Sequence, residues 1–361
     1  MKIYTLNDDH ENSFFSVSET TENPIVSAIK EKLMLKKGEI DSLNPKKWEL
    51  SKKMLNPYEF IYTSSRKTKN ICSIIPTSRS YFKLHEIIKE LKLLKNDIYC
   101  ACIAEGPGGF INCLNNSQYK INLIYGITLI SEDPSIPYWN QSILTNKQNF
   151  ISSGKDKTGN LYNLENAEYF INEIGKNKCH LVTADGGFDY STDYNSQEIN
   201  SYKLLYSEIY IALNIQALKG NFVLKVFDLF NYKTIQLLYI LYINYSSLQI
   251  VKPSTSRSSN SEKYVICNNF KGNKENDVMS TLLKYYNDCD KLFIKIPESF
   301  INNIVEYNNV FTENQIKTID SVIRNIDKIQ TNSLIASSEQ IRLAKEWCEK
   351  YNLPINKNFS R

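Results

Sequence analysis

The chain has 361 residues, enough for one large domain or two small ones. With 42% apolar and 23% charged residues it has a soluble globular balance, and the apolar run Leu237 to Ile243 is far too short to span a bilayer, so no membrane-spanning helix is expected. Net charge is +4 but uneven: Lys30 to Lys95 holds 16 Lys/Arg against 7 Asp/Glu, which suits a polyanion such as RNA, or else an ordinary solvated helical face.

The eight cysteines form no CxxC pair. Cys100, Cys102, Cys179 and Cys267 lie in apolar runs and read as buried free thiols. Three histidines without ligand spacing argue against a zinc site, so no metal is expected. No signal peptide is expected. These features point to an intracellular, reducing compartment and no membrane partner.

Residues 1 to about 24 are polar and without period, a loose arm or an edge strand. Residues 25 to 55 show helical spacing, with Ile25, Ile29, Leu33 and Leu35 on a Lys-rich background. Asn56-Pro-Tyr-Glu59 is a turn that opens a new segment. Ser80 to Leu94 is an amphipathic helix, with Leu84, Ile87, Ile88, Leu91 and Leu94 on one stripe and Ser78 or Ser80 as N-cap. Lys83 in its first turn opposes the helix dipole, which weakly favours a reason for it other than structure, although taken alone it reads as a surface lysine.

Ile98 to Ala104 reads as a buried strand running into Glu105-Gly-Pro-Gly-Gly-Phe110 and a helix start. A glycine turn there lets a ligand approach the backbone while helix amides point at it. It is neither GxGxxG nor a P-loop, and S-adenosylmethionine is a better guess than NAD or ATP. A second strand covers Asn122 to Leu129. Residues 131 to 163 form an irregular connection, then Leu164 to Ile174 a helix. Cys179 to Ala184 is another buried strand, ending at Asp185-Gly-Gly187. Asp185 stands where open α/β sheets bind ligands, unless it only makes an Asp-Gly turn.

A long helix from about Ser196 to Leu218 precedes the strand Phe222 to Phe227. Lys225 interrupts that apolar run, and a lone lysine in a buried strand is costly unless it is paired or functional. Thr234 to Ile243 is an apolar helix. Leu248 to Val251 and Tyr264 to Cys267 are short strands flanking a Ser/Asn-rich loop with Arg257 and Glu262. From Lys274 onward helical spacing dominates.

Taken together, the blocks Ser78-Arg-Ser-Tyr-Phe-Lys83, Ala104-Glu-Gly-Pro-Gly-Gly-Phe110, Ala184-Asp-Gly-Gly-Phe188, Lys225-Val-Phe-Asp-Leu-Phe230 and Lys252-Pro-Ser-Thr-Ser-Arg-Ser-Ser-Asn-Ser-Glu-Lys-Tyr264 resemble the FtsJ-type ribose 2′-O-methyltransferases. The Lys-Pro-x-x-Ser-Arg-x-x-Asn-Ser-Glu pattern, with Asn56-Pro-Tyr-Glu59 upstream, is similar to the cap-specific messenger RNA enzymes of eukaryotes and large DNA viruses. The resemblance spans roughly residues 55 to 270. It implies a doubly wound α/β Rossmann-like sheet of about seven strands with one antiparallel strand, flanked by N- and C-terminal helices. The implied division is a basic helical extension over 1–55, a methyltransferase domain over 56–270 and a helical region over 271–361.

The implied reaction moves a methyl group from S-adenosyl-L-methionine to a ribose 2′-hydroxyl. The implied catalytic set is Lys83, Asp185, Lys225 and Glu262, with Lys225 nearest the attacking oxygen, as a base or as a steering group. A free lysine titrates at about 10.4, and burial beside Lys83 is expected to lower that, with Asp185 opposing. The expected cofactor contacts are Glu105, Gly106, Pro107, Gly108, Gly109 and Phe110, with Thr128 beside the ribose. Asn160, or Asp156 in its stead, meets the adenine. Relatives carry an acidic residue where this chain has Cys102, so Glu105 is expected to supply that carboxylate. Arg79, Arg257, Ser258, Asn260 and Ser261 are expected on the RNA side. The expected partners are capped mRNA and proteins of a capping complex, and the Asn/Lys/Ile-rich composition suggests a large DNA virus as the source. The rival readings are a ribosomal or transfer RNA methyltransferase and a non-catalytic RNA-binding subunit of the same fold.

Overall fold

The computed structural model describes residues 1–6, 14–18, 27–187, 195–272, 276–328 and 334–360. Ile25 and Phe188 lie outside them. The elements in chain order are β1 (Lys2–Thr5), α1 (Ala28–Asp41), α2 (Pro45–Met54), α3 (Ser80–Leu91), β2 (Ile98–Ile103), α4 (Gly109–Asn115) and β3 (Ile121–Ile127). Then come α5 (Gln141–Leu144), β4 (Asn149–Ser152), α6 (Leu164–Ile174), β5 (Cys179–Ala184), α7 (Gln197–Ile215) and β6 (Gln216–Val226). The chain continues through α8 (Tyr232–Asn244), β7 (Tyr245–Lys252), β8 (Lys263–Phe270), α9 (Asn276–Lys284), α10 (Glu298–Asn325) and α11 (Ser338–Lys350).

The described strands make one mixed sheet in the order β1-β7-β8-β6-β5-β2-β3-β4. It is the expected doubly wound α/β sheet, with two reversed strands where one was expected: β8, antiparallel to both β6 and β7, and the edge strand β1, antiparallel to β7. The expected seven become eight because the amino-terminal segment pairs as an edge strand, β1 against β7. β4 lies inside the stretch expected to be irregular. It is four residues long, paired on one side only, and Asn149 and Ser152 break any apolar run.

Period-two alternation sends successive side chains to opposite faces. Ala101, Ile103, Leu224 and Val226 join a core with α6, α7 and α8. Cys100, Cys102, Leu181 and Val223 join another with α3, α4 and α11. The same alternation turns Lys225 toward α3. A third, smaller core joins Leu33, Ile40 and Trp48 of the amino-terminal helices to Ile319 and Val322 of α10, so the two flanking helical regions pack on each other. The basic segment with helical spacing forms two helices, because Asn44 caps a new one with Pro45 at its first position.

Neither Ser78 nor Ser80 caps α3. Arg79 is its N-cap, with no side-chain cap bond, and the two serine hydroxyls lie 2.5 Å apart instead. They sit against the glycine turn: a Cβ at Gly109 would fall 2.0 Å from Ser80 Oγ and 2.1 Å from Ser78 Oγ. The absence of that carbon is what lets α3, with Lys83, approach the end of β2. All eight cysteines are buried free thiols.

Candidate active site

The carboxyl ends of β2, β3, β5 and β6 open into one cavity of about 930 Å³, near the upper end of the roughly 300–1,000 Å³ of small-molecule sites. Between β2 and β5 the strand order reverses, the place where open α/β sheets bind ligands. One end of the cavity is walled by Gly106, Thr128, Asn160 and Leu161, the middle by Asp185, Lys225 and Glu262, and the far end by Lys37, Trp48 and Lys52 from α1 and α2.

The structure brings the four tetrad candidates together as two ion pairs. Lys83 Nζ lies 2.7 Å from Glu262 Oε1, and Lys225 Nζ lies 3.3 Å from Asp185 Oδ1. Lys225 also donates to the main-chain oxygen of Asp185 at 2.7 Å. Tyr264, reached from the reversed strand β8, donates its hydroxyl to Asp185 Oδ1 at 2.9 Å. Burial works against the charge on Glu262, yet Lys83, Lys225 and Lys252 hold its carboxyl at about 2.

Contrary to expectation, Lys225 is not pulled below the ordinary lysine value. Burial acts in that direction, but Asp185, Glu262 and Glu208 outweigh it and raise the ammonium. Lys83 fails to lower it because its charge is matched by Glu262. The sequence reading missed Glu208, a buried carboxylate on α7 that accepts from Gly186 N at 3.2 Å and is pushed up to about 8 by burial. Its signal was an acidic residue inside an apolar helical stripe.

A layer beneath the tetrad starts from α1. Lys37, only 4% exposed, reaches Asp228 Oδ2 at 2.7 Å. Asp228 accepts from Ser261 Oγ at 3.2 Å and lies 3.6 Å from Lys263 Nζ. Ser261 and Lys263 flank Glu262 in sequence, so Asp228 fixes the strand end that carries it.

Of the residues expected at the cofactor, Gly106, Thr128 and Asn160 line the cavity. Gly106 N donates to Thr128 Oγ1 at 3.1 Å. Gly159 has φ +60°, and a Cβ there would stand 1.9 Å from Thr128 O, so the loop carrying Asn160 is drawn hard against the end of β3. Pro107, Gly108, Gly109 and Phe110 shape the turn behind this wall. Gly108 adopts φ +105° as the N-cap of α4.

Two carboxylates named from the sequence are occupied elsewhere. Glu105 turns inward and accepts Phe110 N at 2.6 Å and Ile111 N at 3.2 Å. Burial pushes its carboxyl well up despite those bonds. Asp156 is held by the Thr158 hydroxyl and by Asn163 and Asn166. Asp133, in the connection after β3, does line the cavity. It was missed because it lies beyond the strand end, inside the stretch read as irregular.

On the RNA side, Ser258 and Asn260 are exposed. Ser261 is buried against Asp228. Arg257 grips Glu59 with Nε at 2.9 Å and Nη2 at 2.7 Å, and Arg79 lies 3.5 Å from the same carboxylate while donating to Thr255 O. Among the described residues there is no His/Cys/Asp/Glu group able to hold a metal ion, and no helix is long and apolar enough to cross a membrane.

A family model described as FtsJ-like methyltransferase matches residues 76–270. The chain is 27% identical over 338 residues to the cap-specific mRNA (nucleoside-2′-O-)-methyltransferase 1 of Dictyostelium discoideum, covering 86% of this chain and 44% of that protein. It is 32% identical over 213 residues to the cap-specific mRNA (nucleoside-2′-O-)-methyltransferase of Autographa californica nuclear polyhedrosis virus, covering 58% of this chain and 80% of that protein. A Caenorhabditis briggsae protein named as an inactive cap-specific mRNA (nucleoside-2′-O-)-methyltransferase 1B is 28% identical over 321 residues, covering 77% of this chain and 36% of its own length. The chain thus spans less than half the length of the Dictyostelium and Caenorhabditis relatives. α1 and α2, which wall the far end of the cavity, precede the family match.

Proposed function

This chain belongs to the FtsJ-like methyltransferase family, and from that premise we propose that it methylates the ribose 2′-hydroxyl of the first transcribed nucleotide of capped mRNA, with S-adenosyl-L-methionine as donor. The observation that carries the reading is the meeting of Lys83–Glu262 and Lys225–Asp185 in a cavity at the carboxyl ends of the central strands. An intracellular, reducing compartment and capping-complex proteins as partners belong to the same proposal. So do the tetrad roles, the binding assignments and the three-part division of the chain.

The donor end of the cavity fits a nucleoside. Leu129, Ile136 and Leu161 offer apolar surface for a base, Asn160 an amide at its edge, and Asp133 a carboxylate for sugar hydroxyls. Asp133 remains charged, since the Ser135 N–H and hydroxyl draw its carboxyl below the usual range. It takes the part foreseen for Glu105. When bound, the donor supplies an electrophilic methyl on a cationic sulfur, and that charge moves a neighbouring lysine toward its neutral form.

At rest Lys225 is an ammonium held by Asp185, so its first task is to fix the 2′-oxygen by a donated hydrogen bond. Once one ammonium proton has passed to solvent under the charge of a bound donor, neutral Lys225 accepts the hydroxyl proton and returns to the ammonium form. Lys83, balanced by Glu262, keeps that carboxylate charged and the strand end in place. The proximity of a fixed hydroxyl to a bound methyl supplies the remaining advantage.

Asp185→Asn tests the charge argument. Loss of the carboxylate lowers the Lys225 pKa, so the midpoint of the rising pH–rate profile is expected to move to lower pH while the maximal rate falls. Single-turnover rates across pH measure both, and an unmoved midpoint refutes the base role.

The activity itself is tested with labelled S-adenosylmethionine and matched short RNAs bearing a methylated cap, an unmethylated cap or no cap. Label at the first ribose of capped RNA alone establishes the proposal. Equal label on uncapped RNA indicates a ribosomal or transfer RNA enzyme. RNA binding without label indicates a non-catalytic subunit, the condition named in the Caenorhabditis relative.

A further inference from the structure

Behind the loop that carries Arg257 and Glu262 lies a second cavity of about 320 Å³. It shares Asn260 and Gln315 with the first, so the two are separated only by that loop and α10. Its lining includes three lysines, Lys2, Lys252 and Lys263, two aromatic rings, Tyr58 and Phe311, and no Asp or Glu.

Lys263 is matched by Asp228, but Lys252 is not matched. Its Nζ donates to two carbonyls, Asn260 O at 2.6 Å and Glu262 O at 2.7 Å. No carboxylate stands within ion-pair distance of it among the described residues. An ammonium has three N–H donors, so one is left. Burial lowers Lys252 to about 7, with Lys263 and Lys83 adding to the fall, and the carboxylates of Glu262 and Asp228, outside ion-pair distance, oppose this without overcoming it.

A second observation is independent of the first. In the β1–β7 register Lys2 stands directly opposite Lys252. Cross-strand partners project from the same face, and like charges so placed repel. An anion between them turns that repulsion into a two-point grip. The aromatic rings at the walls suit a base carried on the same strand.

We propose that this second cavity binds a phosphodiester of the RNA strand beyond the nucleotide whose ribose meets Lys225, with the phosphate between Lys2 and Lys252. The proposal rests on RNA being the substrate. It gives the Lys252-Pro253 start of the Ser/Asn-rich motif a role besides closing the loop.

The test is equilibrium binding, without donor, of a capped dinucleotide and a capped hexanucleotide RNA to wild type and to Lys2→Gln. Lys2 is exposed and lies outside the tetrad, so the variant leaves the catalytic residues intact. Hexanucleotide affinity is expected to fall about three-fold or more at low salt, with the slope of log K against log salt shallower by about 0.7. Dinucleotide affinity and methyl transfer to the dinucleotide stay at wild-type levels.

Equal losses for both RNAs, or none for either, overturn the subsite. Lys252→Met is measured beside it. A lower melting temperature with unchanged hexanucleotide affinity makes Lys252 a loop staple only and also overturns the proposal. If the wild type transfers no methyl group to either RNA yet shows the length-dependent Lys2 effect, the methyltransferase reading fails while the subsite stands.

Discussion

Lys225→Ala is expected to lower methyl transfer to capped RNA by about 10²–10⁴-fold, the range typical of a positioned proton-transfer group, with RNA affinity almost unchanged. The side chain lines the middle of the cavity and bonds to Asp185, not to the loop that carries Arg257 and Glu262. Its removal leaves Asp185 with the Tyr264 hydroxyl, so the carboxylate keeps one partner and the fold survives. Lys225→Met, which fills the same space without charge, should match Ala in rate and exceed it in melting temperature. A Lys225→Met variant with near wild-type turnover would remove Lys225 from the chemistry and leave it a structural ion pair.

The largest loss of stability is expected at Glu59, in the Asn56-Pro-Tyr-Glu59 turn. Its side chain is fully buried and accepts two bonds from Arg257 and one from Asn56 at 2.8 Å, with Arg79 close by. Burial raises its carboxyl, but Arg257, Arg79 and Asn56 outweigh this and keep it below the usual value. Glu59→Gln leaves two guanidinium groups without their counter-charge, and breaking a buried pair from one side costs about 3–5 kcal/mol. Denaturant midpoints measure it. The pH dependence follows from the depressed value: the stabilisation is present above the unfolded carboxyl pKa of about 4.3 and is lost as pH falls toward the folded one. Wild type should show that acid loss and Glu59→Gln should lack it. A variant within about 1 kcal/mol of wild type would show the arginines to be solvated instead, as exposed pairs contribute no more than that.

Glu59 also shows what the sequence leaves unreadable. The turn was recognisable from its Pro and its resemblance, yet nothing local says that its carboxylate anchors Arg79 and Arg257 from elsewhere in the chain. Those two arginines were read as facing RNA because they sit in motif blocks. Charge type was legible and direction was not, since direction depends on where a buried acid lies. The long buried strands were readable from continuous apolar runs, and Lys225 and Asp185 stood out as polar interruptions at their ends. β4 was not, because four residues paired on one side carry no such run. Glu105 and Asp133 divide the same way: both follow a strand, but only the folded chain shows that one is used up by the amides of α4. Lys37 and Trp48 lay in a segment read only as basic and helical, and their part in the cavity wall depends on packing against α10, whose matching residues come more than 250 positions later.

The position of β8 bears on how the protein is made. β6 and β7 are not neighbours; the strand that joins them in the sheet, Lys263–Phe270, is translated after both. Until it emerges, two strand edges stand open to unwanted pairing. Glu262 immediately precedes it, and Tyr264, the partner of Asp185, lies within it. Sealing those edges and completing the tetrad are therefore the same event during synthesis. A nascent chain with a gap in its sheet has no Glu262 beside Lys83 and no Tyr264 hydroxyl on Asp185, so the proposed catalytic set is complete only once those edges are closed.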